Sequence, residues 1–95
     1  MKVTRHLRIT GRVQGVGYRY ALKSEAQANG IHGWVRNCRD GTVEAVVQGD
    51  AQAVEQILAW AKRGPPAARV AEINAQPAQG ELDRPYGGFE ELPTG

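Results

Sequence analysis

Leu7, Ile9 and Val13 alternate with Arg8, Thr10 and Arg12, a period of two that predicts a strand with one buried face. Gly15 and Gly17 break the pattern, and beyond them Tyr18, Ala21, Leu22 and Ala26 recur at the spacing that puts them on one side of a helix. Asn29-Gly30 supplies the stop. Two runs of strand formers follow, Ile31 to Cys38 and Thr42 to Gln48, and the Asp-Gly pair inside Arg39-Asp40-Gly41 predicts a hairpin between them. In its second arm Val43, Ala45 and Val47 should face inward and Thr42, Glu44 and Gln48 outward, while Val46 breaks the alternation. Asp50 is placed to cap a second helix with the stripe Val54, Ile57, Leu58 and Ala61. Gly64-Pro65-Pro66 ends it, because prolines lack the N–H that a continuing helix needs. Arg69 to Ala75 reads as a weaker strand, Gln76 to Gly88 as loop, Phe89 to Leu92 as a short edge strand and Pro93-Thr94-Gly95 as a frayed tail.

In chain order this is β-α-β-β-α-β with a possible extra edge strand. The expected fold is therefore α+β, the ferredoxin-like split β-α-β plan, with two helices packed on one face of a mostly antiparallel sheet of four to five strands. The other sheet face should stay at least partly open. With 95 residues, 41% of them hydrophobic and 23% charged, residues 1–95 are read as a single domain with one core. No apolar run approaches the roughly 18 residues that span a bilayer, and Met1-Lys2-Val3-Thr4-Arg5-His6 lacks a signal-like apolar segment, so no membrane is implied and the expected compartment is cytoplasmic. Cys38 is the only cysteine, which rules out an internal disulfide and a thiolate metal cage. The net charge is +2, and the basic residues are scattered rather than gathered in an arm for nucleic acid. An anion would be met locally.

Such a local place exists in Gly11-Arg12-Val13-Gln14-Gly15-Val16-Gly17-Tyr18-Arg19, which runs from the first strand into the first helix. Glycines at a strand-to-helix turn let successive backbone N–H groups converge, and the unpaired donors of the helix's first turn add positive potential. Arg19, on that turn, carries a planar fork of donors that suits phosphate oxygens. Other phosphate motifs fail on spacing. A Walker loop needs Lys and then Ser or Thr after its last glycine, where Tyr18 and Arg19 stand, and a dinucleotide fingerprint begun at Gly15 would need glycine in place of Tyr20. A cysteine-phosphatase loop begun at Cys38 would need Arg in place of Glu44.

The second segment is Gly33-Trp34-Val35-Arg36-Asn37-Cys38-Arg39-Asp40-Gly41. In a split β-α-β fold the second strand returns from the first helix, so Asn37 near its end can lie close to that helix's first turn. Its carboxamide both donates and accepts, so it could hold a water against phosphorus while bonding a substrate oxygen. Taken alone, it could equally be a hairpin-flanking asparagine bonded to its own backbone. Were the leaving group a carboxylate, which departs without being protonated, no strong base would be required.

The segments Gly11 to Arg19 and Gly33 to Glu44 resemble the signature motifs of acylphosphatases, and the resemblance extends through length and element order over nearly the whole chain. It implies that Gln14, Gly15, Val16, Gly17, Tyr18 and Arg19 bind the phosphoryl group and that Arg19 and Asn37 are the catalytic pair, with Asn37 positioning the nucleophilic water. The implied reaction is hydrolysis of an acyl phosphate to a carboxylate and inorganic phosphate, with no metal and no organic cofactor, and with phosphate or sulfate as product or mimic. Two places depart from the family pattern. Tyr18 stands where the family usually has Phe, adding a hydroxyl that needs a partner, and Phe89 to Pro93 is shorter and more acidic than the usual closing strand.

Several residues have plainer readings. Arg12, Arg36 and Arg39 read as solvated strand or turn residues, Trp34 and Trp60 as packing residues, and Cys38 as a passive thiol. His6 and His32 have no ligand-spaced partners. A noncatalytic RNA-binding module on this fold would stack bases on sheet aromatics, and Thr42 to Gln48 contains none, so no nucleic-acid partner is expected. A domain cut from a larger carbamoyl-phosphate-handling protein is the other alternative, set below a free-standing enzyme by the self-contained ends and the lack of zinc-type cysteines. A monomer is the default for so small a domain. The acyl portion of the substrate leaves no distinctive constellation in the sequence.

Overall fold

The computed structural model describes residues 1–95. Strand β1 (Lys2–Arg12) leads through residues 13–17 into helix α1 (Tyr18–Ala28), and β2 (His32–Asn37) and β3 (Val43–Asp50) form the hairpin. Helix α2 (Ala51–Arg63), β4 (Arg69–Pro77), a 3-10 turn at Gly80–Leu82 and β5 (Phe89–Glu91) complete the chain. The sheet order is β4-β1-β3-β2-β5, antiparallel throughout except for the parallel pair β2 and β5. This is the ferredoxin-like plan with a fifth strand.

The predicted alternation holds. Leu7, Ile9, Val35, Val43, Ala45 and Val47 all lie in the core cluster that the two helices cover with Leu22, Ala26, Val54 and Ile57. Asp50 caps α2 by accepting from the Gln52 N–H at 3.2 Å. Asp40 shapes the hairpin turn by accepting from the Thr42 N–H at 3.0 Å and the Thr42 hydroxyl at 2.7 Å.

One core contact ties the helices together at the end of the sheet where β1 finishes. Gly64 N–H to the Trp60 carbonyl is the last helical bond of α2. The Ala61 carbonyl would next accept from residue 65, but Pro65 has no N–H to give. The buried Tyr18 hydroxyl supplies the donor at 2.7 Å. Its ring lies 5.9 Å from that of Trp60, and burial pushes the phenol above its ordinary pKa, so it stays neutral.

Two expectations are corrected and one is made specific. The sheet face away from the helices is only partly open, because Tyr86 packs with Trp34 and Val46 there, and the Gln48 side chain donates to the Arg84 carbonyl at 2.8 Å and accepts from the Tyr86 N–H at 3.0 Å. Val46 is therefore a second-face core residue rather than a break in the pattern. Arg36 is not simply solvated, because it reaches the nearly buried Glu44 at 2.7 Å, which His6 also meets at 2.6 Å. The tail is not frayed either. The Leu92 N–H donates to the Val35 carbonyl and the Gly95 N–H to the Asn37 carbonyl, both at 2.9 Å, so residues beyond β5 keep following β2.

Burial alone would raise the Glu44 carboxyl, but hydrogen bonds from His6 and Arg36, with their charge, hold it below the ordinary carboxylate range. A lowered native pKa gives stability that is present above the unfolded-state value and lost as pH falls through the native one. Two outcomes are expected. Thermal melts between about pH 6 and about pH 3 should show a smaller acid loss in Glu44→Gln than in the parent, the variant being already less stable at neutral pH. Tyr18→Phe should lose about 1–2 kcal/mol in urea unfolding, the cost of leaving the Ala61 carbonyl without a donor.

Candidate active site

Residues 13–17 carry the chain from the end of β1 to the start of α1. Gly15 has φ of +72° and Gly17 has φ of +80°, left-handed values that a side chain would strain. Alternation of such residues with Val16 turns neighbouring amides toward a common point. None of the N–H groups of Gln14, Gly15, Val16 and Gly17 enters a turn or loop hydrogen bond. Those of Tyr18, Arg19 and Tyr20 belong to the first turn of α1 and have no intrahelical partner. No side chain caps this helix and its first turn has no acidic residue, so the donors are left to whatever anion arrives.

A small cleft of about 120 Å³ opens here, lined by Gly15, Gly17, Tyr18, Arg19 and Tyr20 from the loop and helix, with Val13 and Glu91. Arg19 is half-buried and forms no ion pair, so its guanidinium is uncommitted. Tyr18 contributes its amide but not its hydroxyl, which is bound to Ala61.

The Gln14 side chain has a structural part as well. Its side-chain amide donates to the Cys38 carbonyl and the Thr42 carbonyl, each at 2.8 Å, and so fastens the loop to the β2–β3 turn. Asn37 immediately precedes that turn and is paired with Val43. By strand alternation it shares the helix-facing side of β2 with the core residue Val35. Its carboxamide oxygen is buried and has no hydrogen-bond partner. Buried acceptors are rarely left so, and one at this place is ready for a water or a substrate donor. The plainer reading, an asparagine bonded to its own backbone, leaves that oxygen unexplained.

The loop, Arg19 and the unpartnered Asn37 oxygen thus gather at one end of the sheet, although Asn37 lies outside the lining of the small cleft itself. Cys38 is buried and holds its sulfur 3.8 Å from Arg8 on the opposite sheet face. No three His, Cys, Asp or Glu side chains lie together within metal-binding reach. The residue that sequence reasoning missed is Glu91. Phe89 is a core residue, and the same alternation carries Glu91 to the helix side and into the cleft.

A carboxylate facing an anion seat repels its occupant. Glu91→Gln should therefore tighten competitive inhibition by inorganic phosphate by about 2- to 5-fold, as read from the inhibition constant at low salt, with the gain shrinking as salt is added.

Comparison with known proteins places these features in a family. The family model described as Acylphosphatase matches residues 5–90. The chain is 55% identical over 75 residues to an acylphosphatase of Thermococcus kodakarensis, covering 79% of this chain and 82% of that one. It is 52% identical over 87 residues to an acylphosphatase of Thiobacillus denitrificans, covering 92% and 93%. The solved structure of an acylphosphatase from Coxiella burnetii superposes with a TM-score of 0.88 at 30% identity, over 96% of this chain and 93% of that chain.

Proposed function

We propose, from the premise that the chain belongs to the acylphosphatase family and hydrolyses the carboxyl–phosphate bond of acyl phosphates, that the loop Gln14 to Tyr18 and Arg19 seat the phosphoryl group and Asn37 aims the attacking water. The observation that carries this reading is the unpartnered Asn37 oxygen, at the start of a turn that Gln14 fastens to a loop whose amides are equally unpartnered. Oriented donors and an oriented acceptor side by side, with nothing to satisfy them, suit an anion and a water.

In this reading the phosphoryl oxygens accept from the loop amides, and the Arg19 fork neutralises the charge those dipoles leave. The water donates one hydrogen to the Asn37 oxygen and turns a lone pair toward phosphorus. As its oxygen bonds to phosphorus, the bond from phosphorus to the bridging acyl oxygen breaks, and the electron pair leaves on the carboxylate. The water's protons stay with the phosphate, which releases one to solvent near neutral pH. A carboxylate is a good enough leaving group to need no acid, and this accounts for a site with no histidine or second carboxyl in catalytic roles. The amides and Arg19 meet charge that spreads over the equatorial oxygens in the transition state, so their contribution is positioning and electrostatics.

The same reading takes residues 1–95 as one domain, acting as a monomer in the cytoplasm with no cofactor and with a small acyl phosphate as its partner. A single helix-covered core and one buried, unpaired cysteine support it.

Two variants separate the roles in a steady-state assay with an aromatic acyl phosphate. Arg19→Ala should lower kcat by about 10²- to 10³-fold and weaken competitive inhibition by phosphate as well. Asn37→Ala should lower kcat by a similar factor while leaving phosphate inhibition within about 2-fold of the parent. Near-parental turnover in either variant would remove its assigned role.

A further inference from the structure

The phosphate seat accounts for half of an acyl phosphate, and the other half needs a place. In-line displacement puts the departing acyl oxygen on the far side of phosphorus from the water. With Asn37 aiming that water from the end of β2, the acyl group leaves on the side of the seat away from Asn37. The largest cavity of the molecule adjoins the seat, a groove of about 630 Å³ between the start of α1 and the end of α2. Its walls include Tyr20 and Ser24 from α1, and Trp60, Pro65 and Pro66 from α2 and the turn after it. Tyr20 also lines the phosphate cleft, so one side chain borders both spaces, whereas neither of the remaining two cavities shares a residue with that cleft.

Tyr20 is conspicuous in its own right. It is 72% exposed, and with Met1 it is one of two large hydrophobic side chains that the fold leaves in solvent. Its neighbour Tyr18 is wholly buried, so nothing in the helix stripe requires an aromatic residue at position 20. Across the groove Trp60 is only partly buried, its ring inclined against that of Tyr18. Two aromatic rings and two proline rings offer flat apolar faces. Arg69, at the rim, has its guanidinium engaged with the Pro66 and Ala68 carbonyls at 3.3 and 3.0 Å, and Arg63 and Glu25 also border the groove, so charge lies at its edge beside the apolar faces.

From these relations, and resting on the phosphate-seat reading above, we infer that the α1–α2 groove is the acyl subsite and that Tyr20 is its specificity-determining residue, favouring acyl phosphates with a bulky aromatic acyl group. Tyr20 stacks on the acyl ring while Trp60 and the prolines form the opposite wall. Small acyl groups such as acetyl reach the phosphate seat but leave the groove unfilled.

The test compares benzoyl phosphate with acetyl phosphate in the full chain, with inhibition by inorganic phosphate as the measure of the seat. Tyr20→Ala should raise KM for benzoyl phosphate by about 3- to 10-fold more than it raises KM for acetyl phosphate or the phosphate inhibition constant. Tyr20→Phe should restore the parental value. Ser24→Trp, one helical turn along the same face, should crowd the groove and raise KM for benzoyl phosphate alone. Equal changes for both substrates, or no change for either, would overturn the subsite while leaving the seat intact. A parent inert toward both substrates would instead remove the seat and the subsite together.

Discussion

The Tyr18 hydroxyl on the Ala61 carbonyl is the contact from which the rest of this molecule's working end is organised. A proline two residues beyond the end of α2 deprives a helical carbonyl of its donor, and the first residue of α1 restores it with a side chain. The deficit created by one helix stop is thereby used to fix the start of the other helix. With Tyr18 immobilised, Gly17 and Gly15 just before it must take the chain back to β1 over a short path, which their left-handed backbone permits. Amides that point outward from a fixed turn keep their direction when an anion arrives, and preorganisation of that kind is what electrostatic catalysis needs.

The two faces of the sheet divide the remaining labour. On the helix side, β1 and β3 give the aliphatic core residues Leu7, Ile9, Val43, Ala45 and Val47, while the end of β2 and the end of β5 add the polar pair Asn37 and Glu91. On the far side, His6, Arg36 and Glu44 form a compact charged group, and Gln48 stitches the covering segment to the sheet through Arg84 and Tyr86. Gln14 fastens the loop to the hairpin turn by giving a second donor to two carbonyls that the turn itself already uses. The folding core and the catalytic end are thus held by different interactions on the same strands.

Much of this was legible from residues alone. Period-two and helical patterns placed β1, α1, the hairpin and α2, and the glycine turn with Arg19 pointed to a phosphate. The losses have physical causes. Gln76 to Gly88 reads as loop because of its prolines and glycines, yet Leu82 and Tyr86 fold onto Val46, a tertiary contact that leaves no periodic trace. The burial of Glu44 depends on partners 8 and 38 residues away, Arg36 and His6, which sequence spacing cannot join. The tail looked loose because Pro93-Thr94-Gly95 has no apolar pattern, but its order comes from backbone bonds to β2, to which side-chain patterns are blind. The Gln14 side-chain bonds to the hairpin turn were not legible, since a motif names residues without saying where a flexible amide points.

Strand β5 bears on how the molecule behaves in a crowded solution. A sheet edge with free peptide groups invites another chain to dock and begin a fibrillar stack. Here the β2 side is closed by three residues of β5, two of them glutamates, and then by the tail that continues along β2. The strand is too short and too negative to template a neighbour, which leaves β4 as the only long exposed border, its register against β1 shifting between Glu72 and Val70 and the strand ending at Pro77. The two glutamates thus place like charges where a second copy of the strand would have to pair.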